Sequence, residues 1–261
     1  MYKIRQLPSL VFVSMFLILA LMFTAVTPAV TGEASAPAAS DPPVVEVLSA
    51  EGDGVVFTVS IKVEELELTL VEESGRQYTR VSLPGWAGTI AAGLPVLPVQ
   101  VEQVGAPLGA EVSVEVKAGE AQRVSLDAPV LPGVKQVADW SAVVEDENGL
   151  MLPEMVEVVE EDAGVYGGGG VYPGELALVS GDGMLRQQRV VGVSVYPVQY
   201  DVSTDELVVY GTLEVTVRFS GGERSVTGGT VEESEVYEDL LGGQLLNYEA
   251  TRGYRTAGMV E

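Results

Sequence analysis

Apolar side chains recur at every second position in short runs along most of this chain, and that periodicity limits the fold more than any other feature. Val55, Phe57, Val59 and Ile61 alternate with Val56, Thr58 and Ser60. Leu66, Leu68 and Leu70 repeat the pattern, the segment ESGRQ turns the chain, and Val81 and Leu83 follow. Val112, Val114 and Val116 alternate with Glu111, Ser113 and Glu115, and Leu213, Val215, Val217 and Phe219 alternate with Thr212, Glu214, Thr216 and Arg218. Side chains of an extended strand point alternately to opposite faces, so each run is a strand with one apolar face. Short strands punctuated by Gly, Pro and Asp predict an all-β fold: an antiparallel β-sandwich with long loops and a short helical or irregular C-terminal tail.

The run VVGVSVYPVQYDVSTDELVVYGTLEVTVRFSG, residues 190–221, is the most regular stretch. Val191, Val193 and Val195 face one way and Pro197 ends or edges their strand. Residues 201–205 form a polar turn, and a returning strand is expected from Leu207 to Phe219. GLPVLPV, residues 93–99, suits an edge or a crossover between sheets, because proline has no N–H for a ladder. Residues 128–172 are the least regular: long loops with two embedded strands, an acidic stretch at 145–162 with eight carboxylates and no basic residue, and GVYGGGGVYPG, read as a flexible hinge. Past Gly221, acidic residues precede Leu240, Leu241, Leu245 and Leu246, which suggests short helical turns broken at Gly242 and Gly243.

At the N-terminus Lys3 and Arg5 precede an apolar run from Leu10 to Phe23, and Ala29, Ala34 and Ala36 offer cleavage points. This is the pattern of an export signal, shorter than the roughly 20 residues that span a bilayer. The organisation expected is a signal and start of linker over 1–36, a Pro-rich linker over 37–43, a β-sandwich over 44–221 and an acidic connector over 222–261. The location expected is secreted, cell-surface or periplasmic, with no stable membrane insertion after cleavage. Without Lys3 and Arg5, 12 basic residues face 38 acidic ones, a net charge of −26. Such a chain is repelled by phosphate backbones and anionic lipid, which excludes nucleic acid as a partner. The acidity fits either a soluble exported surface or complementarity to a basic partner.

No cysteine and no histidine occurs in the 261 residues. Zinc and copper sites of the usual kinds are therefore not expected, and no cofactor is assigned. Calcium needs only oxygen ligands, but neither the turn at 201–206 nor EDENG at 145–149 follows a calcium-loop pattern. Turn capping and solvation account for those carboxylates. The tetraglycine at 167–170 lacks the Lys and Ser/Thr of a phosphate loop. Trp86 and Trp140 are either core aromatics or exposed binding aromatics.

The pieces VEVLSAEGDGVVFTV (45–59), SLPGWAGTIAAGLPVLPV (82–99), GAEVSVEV (109–116) and VYPGELALVSGDGMLRQQRVVGVSVYPVQYDVSTDELVVYGTLEVTVRFSG (171–221) resemble, in their order and spacing, the N-terminal propeptide domain of the gingipain-type cysteine peptidases. The resemblance covers about residues 44–249, and NYEA near its end is similar to the join that precedes the catalytic domain in that family. It implies a module that assists folding and maintains latency of a cysteine endopeptidase. The partner would be the peptidase catalytic domain, in cis in the family and in trans or missing here. The catalytic Cys–His dyad has no counterpart in this sequence, so the chain as it stands is not an enzyme. A loop lysine or arginine would mimic the residue such peptidases favour. Lys135 is the candidate inhibitory-loop contact in the irregular region, with Arg186 and Arg189 later in the chain, and solvated surface charge is the plain alternative for all three. Arg252 and Arg255 are candidate processing points. The alternative function is an exported β-sandwich for adhesion or carbohydrate binding, which an aromatic strip on one sheet would indicate.

Overall fold

The computed structural model describes residues 44–145, 147, 149–222 and 234–254. The segment expected to be an export signal, the whole linker expected over 37–43 and Arg255 lie outside the described residues. The fold is all-β and antiparallel. One four-stranded sheet has the order β1 (Val44–Glu51), β2 (Gly54–Ser60), β16 (Thr212–Ser220), β7 (Glu111–Ala118). A second has the order β12 (Ala177–Leu185), β13 (Gln188–Val195), β6 (Pro98–Ala106), β5 (Ala87–Gly88). Val55, Phe57 and Val59 of β2 and Leu213, Val215 and Val217 of β16 form one cluster with Val104 and Ala106 of β6 and Val191, Val193 and Val195 of β13. Those of β2, β13 and β16 are the residues the two-residue period assigns to one apolar face. Each large side chain so buried contributes roughly 1.5–3 kcal/mol.

A third sheet has the order β11 (Val171–Tyr172), β14 (Val198–Asp201), β15 (Glu206–Tyr210), β8 (Ala121–Ser125). Val198, Tyr200, Leu207 and Val209 from it form a second core with Leu97, Val130 and Val81. Val81 belongs to β4 (Arg76–Ser82), which pairs with β3 (Glu67–Glu73). Leu68 and Leu70 of β3 are exposed, although their alternation had placed them on an inner face. The Pro-rich stretch at 93–99 crosses between sheets, bridged at Pro95 to Pro132, as proline's missing donor requires.

The regular run at 190–221 serves all three sheets. Pro197 ends β13, and its carbonyl accepts from the Tyr210 N–H at 2.9 Å. The chain then enters β14, turns at 202–205 and returns as β15. It breaks at Gly211 and continues as β16 in the first sheet. The expected return strand from Leu207 to Phe219 is therefore two strands in two sheets.

The C-terminal stretch, expected as a connector, is folded onto β6. After a short helix α1 (Ala163–Tyr166) earlier in the chain, α2 (Glu235–Gln244) and α3 (Tyr248–Thr251) form this strap. α2 runs unbroken through Gly242 and Gly243, because its buried face, Tyr237 and Leu241, packs with Leu245 against Leu185 and Val190. Asn247, 2 % exposed, holds Gly105 of β6 by both backbone groups: its Oδ1 accepts from Gly105 N at 2.8 Å and its Nδ2 donates to Gly105 O at 2.8 Å. Gly105 must be glycine here, since a Cβ would stand 2.1 Å from Thr251 Cγ2. Tyr254 packs edge-on against Phe219, with ring centroids 6.3 Å apart.

Asn247→Ala leaves a buried N–H and a buried C=O on Gly105 without partners, so it should destabilise the fold by about 2–4 kcal/mol. Urea unfolding of the variant measures this, and proteolysis should release the strap before the sheets unfold.

Candidate functional site: a hairpin arm anchored at its base

The region read as irregular holds a long two-stranded hairpin, β9 (Val134–Glu145) and β10 (Met151–Val159). These strands pair with each other and with no other strand among the described residues. Their nine aligned pairs run from Val134↔Val159 to Glu145↔Met151, roughly 30 Å of ladder at about 3.4 Å per residue. No side chain of either strand is buried among the described residues. A hairpin of two strands is marginal in water by itself, so its order comes from cross-strand pairs such as Val137↔Val156 and Val144↔Leu152, and from its base.

The base is clamped on several sides. Gly93 donates its N–H to Gly133 O at 2.8 Å, just before β9, and its carbonyl accepts from Asp162 N at 2.9 Å, just after β10. Gly93 adopts φ +77°, and a Cβ there would lie 3.1 Å from Glu160 O. Arg76 Nη1 reaches Glu161 Oε2 at 2.8 Å and lies over the Tyr78 ring. Asp162 Oδ1 caps α1 by accepting from Gly164 N and Val165 N, and Tyr166 Oη donates to Val130 O at 2.7 Å. Burial pushes the Tyr166 phenol far above its ordinary range, so it remains a neutral donor.

Midway along the arm the register jumps from Val143↔Pro153 to Asp139↔Glu154, leaving Trp140, Ser141 and Ala142 as a bulge. Pro153 cannot donate to the ladder, and Asp139 Oδ1 fixes the bulge by accepting from Ser141 N at 2.8 Å and Ser141 Oγ at 2.6 Å. Those two bonds hold the Asp139 carboxyl below its usual range. Trp140 is 71 % exposed. Trp86, in contrast, packs against the first core.

Lys135 sits in β9 near the base of the arm, not on an open loop, and its Nζ is 3.5 Å from Glu160 Oε2. Arg189 is structural: it bonds Asp182 at 2.9 and 2.6 Å and donates to the carbonyls of Pro107 and Ala110. Arg186, in the turn between β12 and β13, stacks on the Tyr237 ring at 4.6 Å and so holds α2 to the sheet. Arg252 ends the strap, 3.9 Å from Glu249, between buried Thr251 and Tyr254. None of the three candidates Arg186, Arg189 and Arg252 lies on the arm with Lys135. The tetraglycine forms a defined turn, in which Gly170 N donates to Ser203 Oγ at 2.9 Å and Gly169 and Gly170 both adopt positive φ. Among the described residues no three acidic side chains gather to hold a metal, and no helix is long and apolar enough to cross a membrane. A shallow apolar cavity of about 190 Å³ beside Trp86 and Leu131 contains no pair of titratable groups. The sequence signal that would have found the arm is the pairing of apolar runs at 142–144 and 150–152 around ENG, masked by the acidity of the stretch.

Comparison with known proteins places this geometry. Residues 35–255 match the family model described as Propeptide_C25. Lys-gingipain of Porphyromonas gingivalis is 31 % identical over 171 residues, 66 % of this chain and 10 % of that protein, and Lys-gingipain HG66 of the same organism is 30 % identical over the same length. The chain spans about a tenth of the length of these curated relatives. Among solved structures, the complex of the Porphyromonas gingivalis RgpB pro- and mature domains shares the fold, with a TM-score of 0.58 at 22 % identity over 78 % of this chain and 97 % of that one. A structure addressing zymogenic latency of gingipain K from the same organism aligns with a TM-score of 0.52 at 26 % identity, over 69 % of this chain and 94 % of that one.

Two outcomes follow from the anchoring. Gly93→Ala forces a side chain into a left-handed backbone conformation, so a loss of about 1–2 kcal/mol is expected in urea unfolding, with faster proteolysis inside residues 134–159. Arg189 holds the Asp182 carboxyl below its ordinary value of 3.8. The stability this pair contributes is therefore present above that value and lost as pH falls through the lower folded one. Asp182 is half exposed, so Asp182→Asn should cost less than about 1 kcal/mol at neutral pH. Melting curves of variant and parent should converge only once pH has fallen through the lowered Asp182 value.

Proposed function

The chain belongs to the C25 propeptide family, and from that premise we propose that it is the folding and latency module of a gingipain-type cysteine peptidase. In this reading it packs on the peptidase domain and keeps the active centre closed until the two are separated. The observation that supports it most is the extent of the match: residues 35–255 take in both sandwich cores and the C-terminal strap, so a whole fold is shared and not one motif. The chain itself supplies no catalyst. A thiolate nucleophile needs a cysteine and its base here would be a histidine, and the sequence contains neither.

A module of this kind, when tethered, acts at high local concentration, and an interface of standard size, roughly 1,600 Å², suffices to silence the enzyme. Export belongs to the same proposal, supported by Lys3 and Arg5 ahead of the apolar run from Leu10 to Phe23. Processing at Arg252 would require the strap to lift, because Thr251 and Tyr254 on either side are buried. Lys135 would reach a specificity pocket only by leaving Glu160. A carbohydrate-binding role finds less support: Trp140 is the one exposed aromatic among the described residues, and it lies on the arm, not in a strip on a sheet.

The test is titration of the isolated Lys-gingipain catalytic domain with residues 37–261, following cleavage of a lysyl peptide substrate. The expected result is saturable loss of activity at micromolar module or below. Undiminished activity would remove the latency role.

A further inference from the structure

We propose that the cavity beside Trp86 binds the C-terminal residue of a peptide, with the apolar side chain of that residue in the cavity and its carboxylate on Arg80, a role independent of latency. The cavity, about 190 Å³, is walled by Val81, Leu83, Trp86, Val96 and Leu131, and Arg80 is the one charged residue that lines it. Every other basic side chain among the described residues has a carboxylate or an aromatic ring beside it, from Lys62 with Glu65 to Arg252 with Glu249. Arg80 has neither, in a chain with 38 acidic residues against 14 basic ones. An exposed guanidinium left unpaired on so acidic a surface keeps its charge and its planar fork of donors for an incoming carboxylate.

The strand edge supplies the main-chain part of the site. In the β3–β4 hairpin Leu70 lies opposite Thr79 and Leu68 opposite Val81. Thr79 turns its backbone away from β3, donating to Pro129 O at 2.7 Å and accepting from Leu131 N at 2.9 Å. Backbone groups two residues apart on an antiparallel strand point to the same side, so the N–H and C=O of Val81 also face away from β3, toward the cavity that Val81 lines. No backbone partner takes them there among the described residues, because the Leu131 carbonyl accepts from Val96 N at 2.9 Å instead. A free donor and acceptor on a strand edge receive an extended peptide as a short added strand. The volume is below the roughly 300–1,000 Å³ of pockets for drug-sized ligands, so it suits one medium apolar side chain such as that of leucine. A fatty acid offers the hydrocarbon and the carboxylate but no main chain for Val81. A phosphate ester brings further negative charge to a chain of net charge −24 and is opposed.

The chain has two tryptophans, so Trp140→Phe on the exposed arm leaves Trp86 as the fluorescent reporter of the cavity. That variant is titrated with N-acetyl-Ala-Ala-Leu bearing a free carboxylate, with the same peptide as its carboxamide, and with hexanoate. The expected result is a saturable change in Trp86 emission with the free acid, and binding at least about tenfold weaker for the carboxamide and for hexanoate. Arg80→Gln added to the reporter should weaken binding of the free acid by a similar factor at an unchanged melting temperature, since Arg80 is exposed and unpaired. No response to the free acid at millimolar concentration overturns the site. Equal affinity for acid and carboxamide, or indifference to Arg80→Gln, overturns the carboxylate contact on which it rests, and equal affinity for hexanoate overturns the assignment to a peptide. None of these results bears on the titration of the peptidase domain, so the latency role stands or falls separately.

Discussion

The molecule depends on one continuous stretch of chain changing sheets twice. Residues 188–220 place β13 in the second sheet, β14 and β15 in the third, and β16 in the first. Pro197 and Gly211 are the corners, the first because it has no N–H to continue the ladder and the second because the strand breaks there. As a result Val193 and Val215 meet in one core while Tyr200 and Leu207 lie in the other. The two cores are covalently successive, so neither can be lost without straining the strands that enter the other. The same arrangement fixes where Arg189 and Arg186 fall. They lie at the start of β13 and in the turn before it, where one ties the sheets' rim and the other holds the strap.

Against that body, the arm is built differently. Its ladder is broken by the bulge at 140–142, its side chains are solvated, and its placement rests on Gly93, Gly133, Asp162 and the Arg76–Glu161 pair. A rigid base under an uncovered hairpin separates two functions that are usually combined: the sandwich supplies stability, and the arm supplies apolar surface at no cost to the core. The acidic stretch has a local reason in this light. Carboxylates along a two-stranded hairpin with open edges discourage strand-to-strand association between copies.

The sequence period alone locates the first core almost residue by residue, since β2, β13 and β16 each present one apolar face to a single neighbour sheet. It fails where the partner is chosen from far along the chain. Leu68 and Leu70 alternate as well as Val55 and Phe57 and share a face with the buried Val81 and Thr79 of β4, yet β3 is the outer strand of that pair and its own side chains lie beyond the second core. The strap is illegible for a related reason: Asn247 and Gly105 are 142 positions apart, and nothing local marks an asparagine as the clip for a glycine. Two strands were legible in the region of the arm, but their length and their pairing with each other were not, because the bulge at 140–142 interrupts the period and carboxylates surround the turn. Lys135 was legible as the region's basic residue, but its engagement by Glu160 was not.

Under the proposed latency role, the strap alters how inhibition and release are related. If the peptidase domain continues from the C-terminal side, the connection leaves from Tyr254, which packs on Phe219 at the end of β16 in the first core. A cut beyond the strap would leave the sandwich intact, so separation would then be governed by the interface and not by unfolding. Cutting alone ends the high local concentration that a tether provides. An interface with part of its affinity in charge pairs, as the acidity of this chain favours, would then weaken further as ionic strength rises. Release from such a module is in this sense a property of its surroundings as much as of the cut itself.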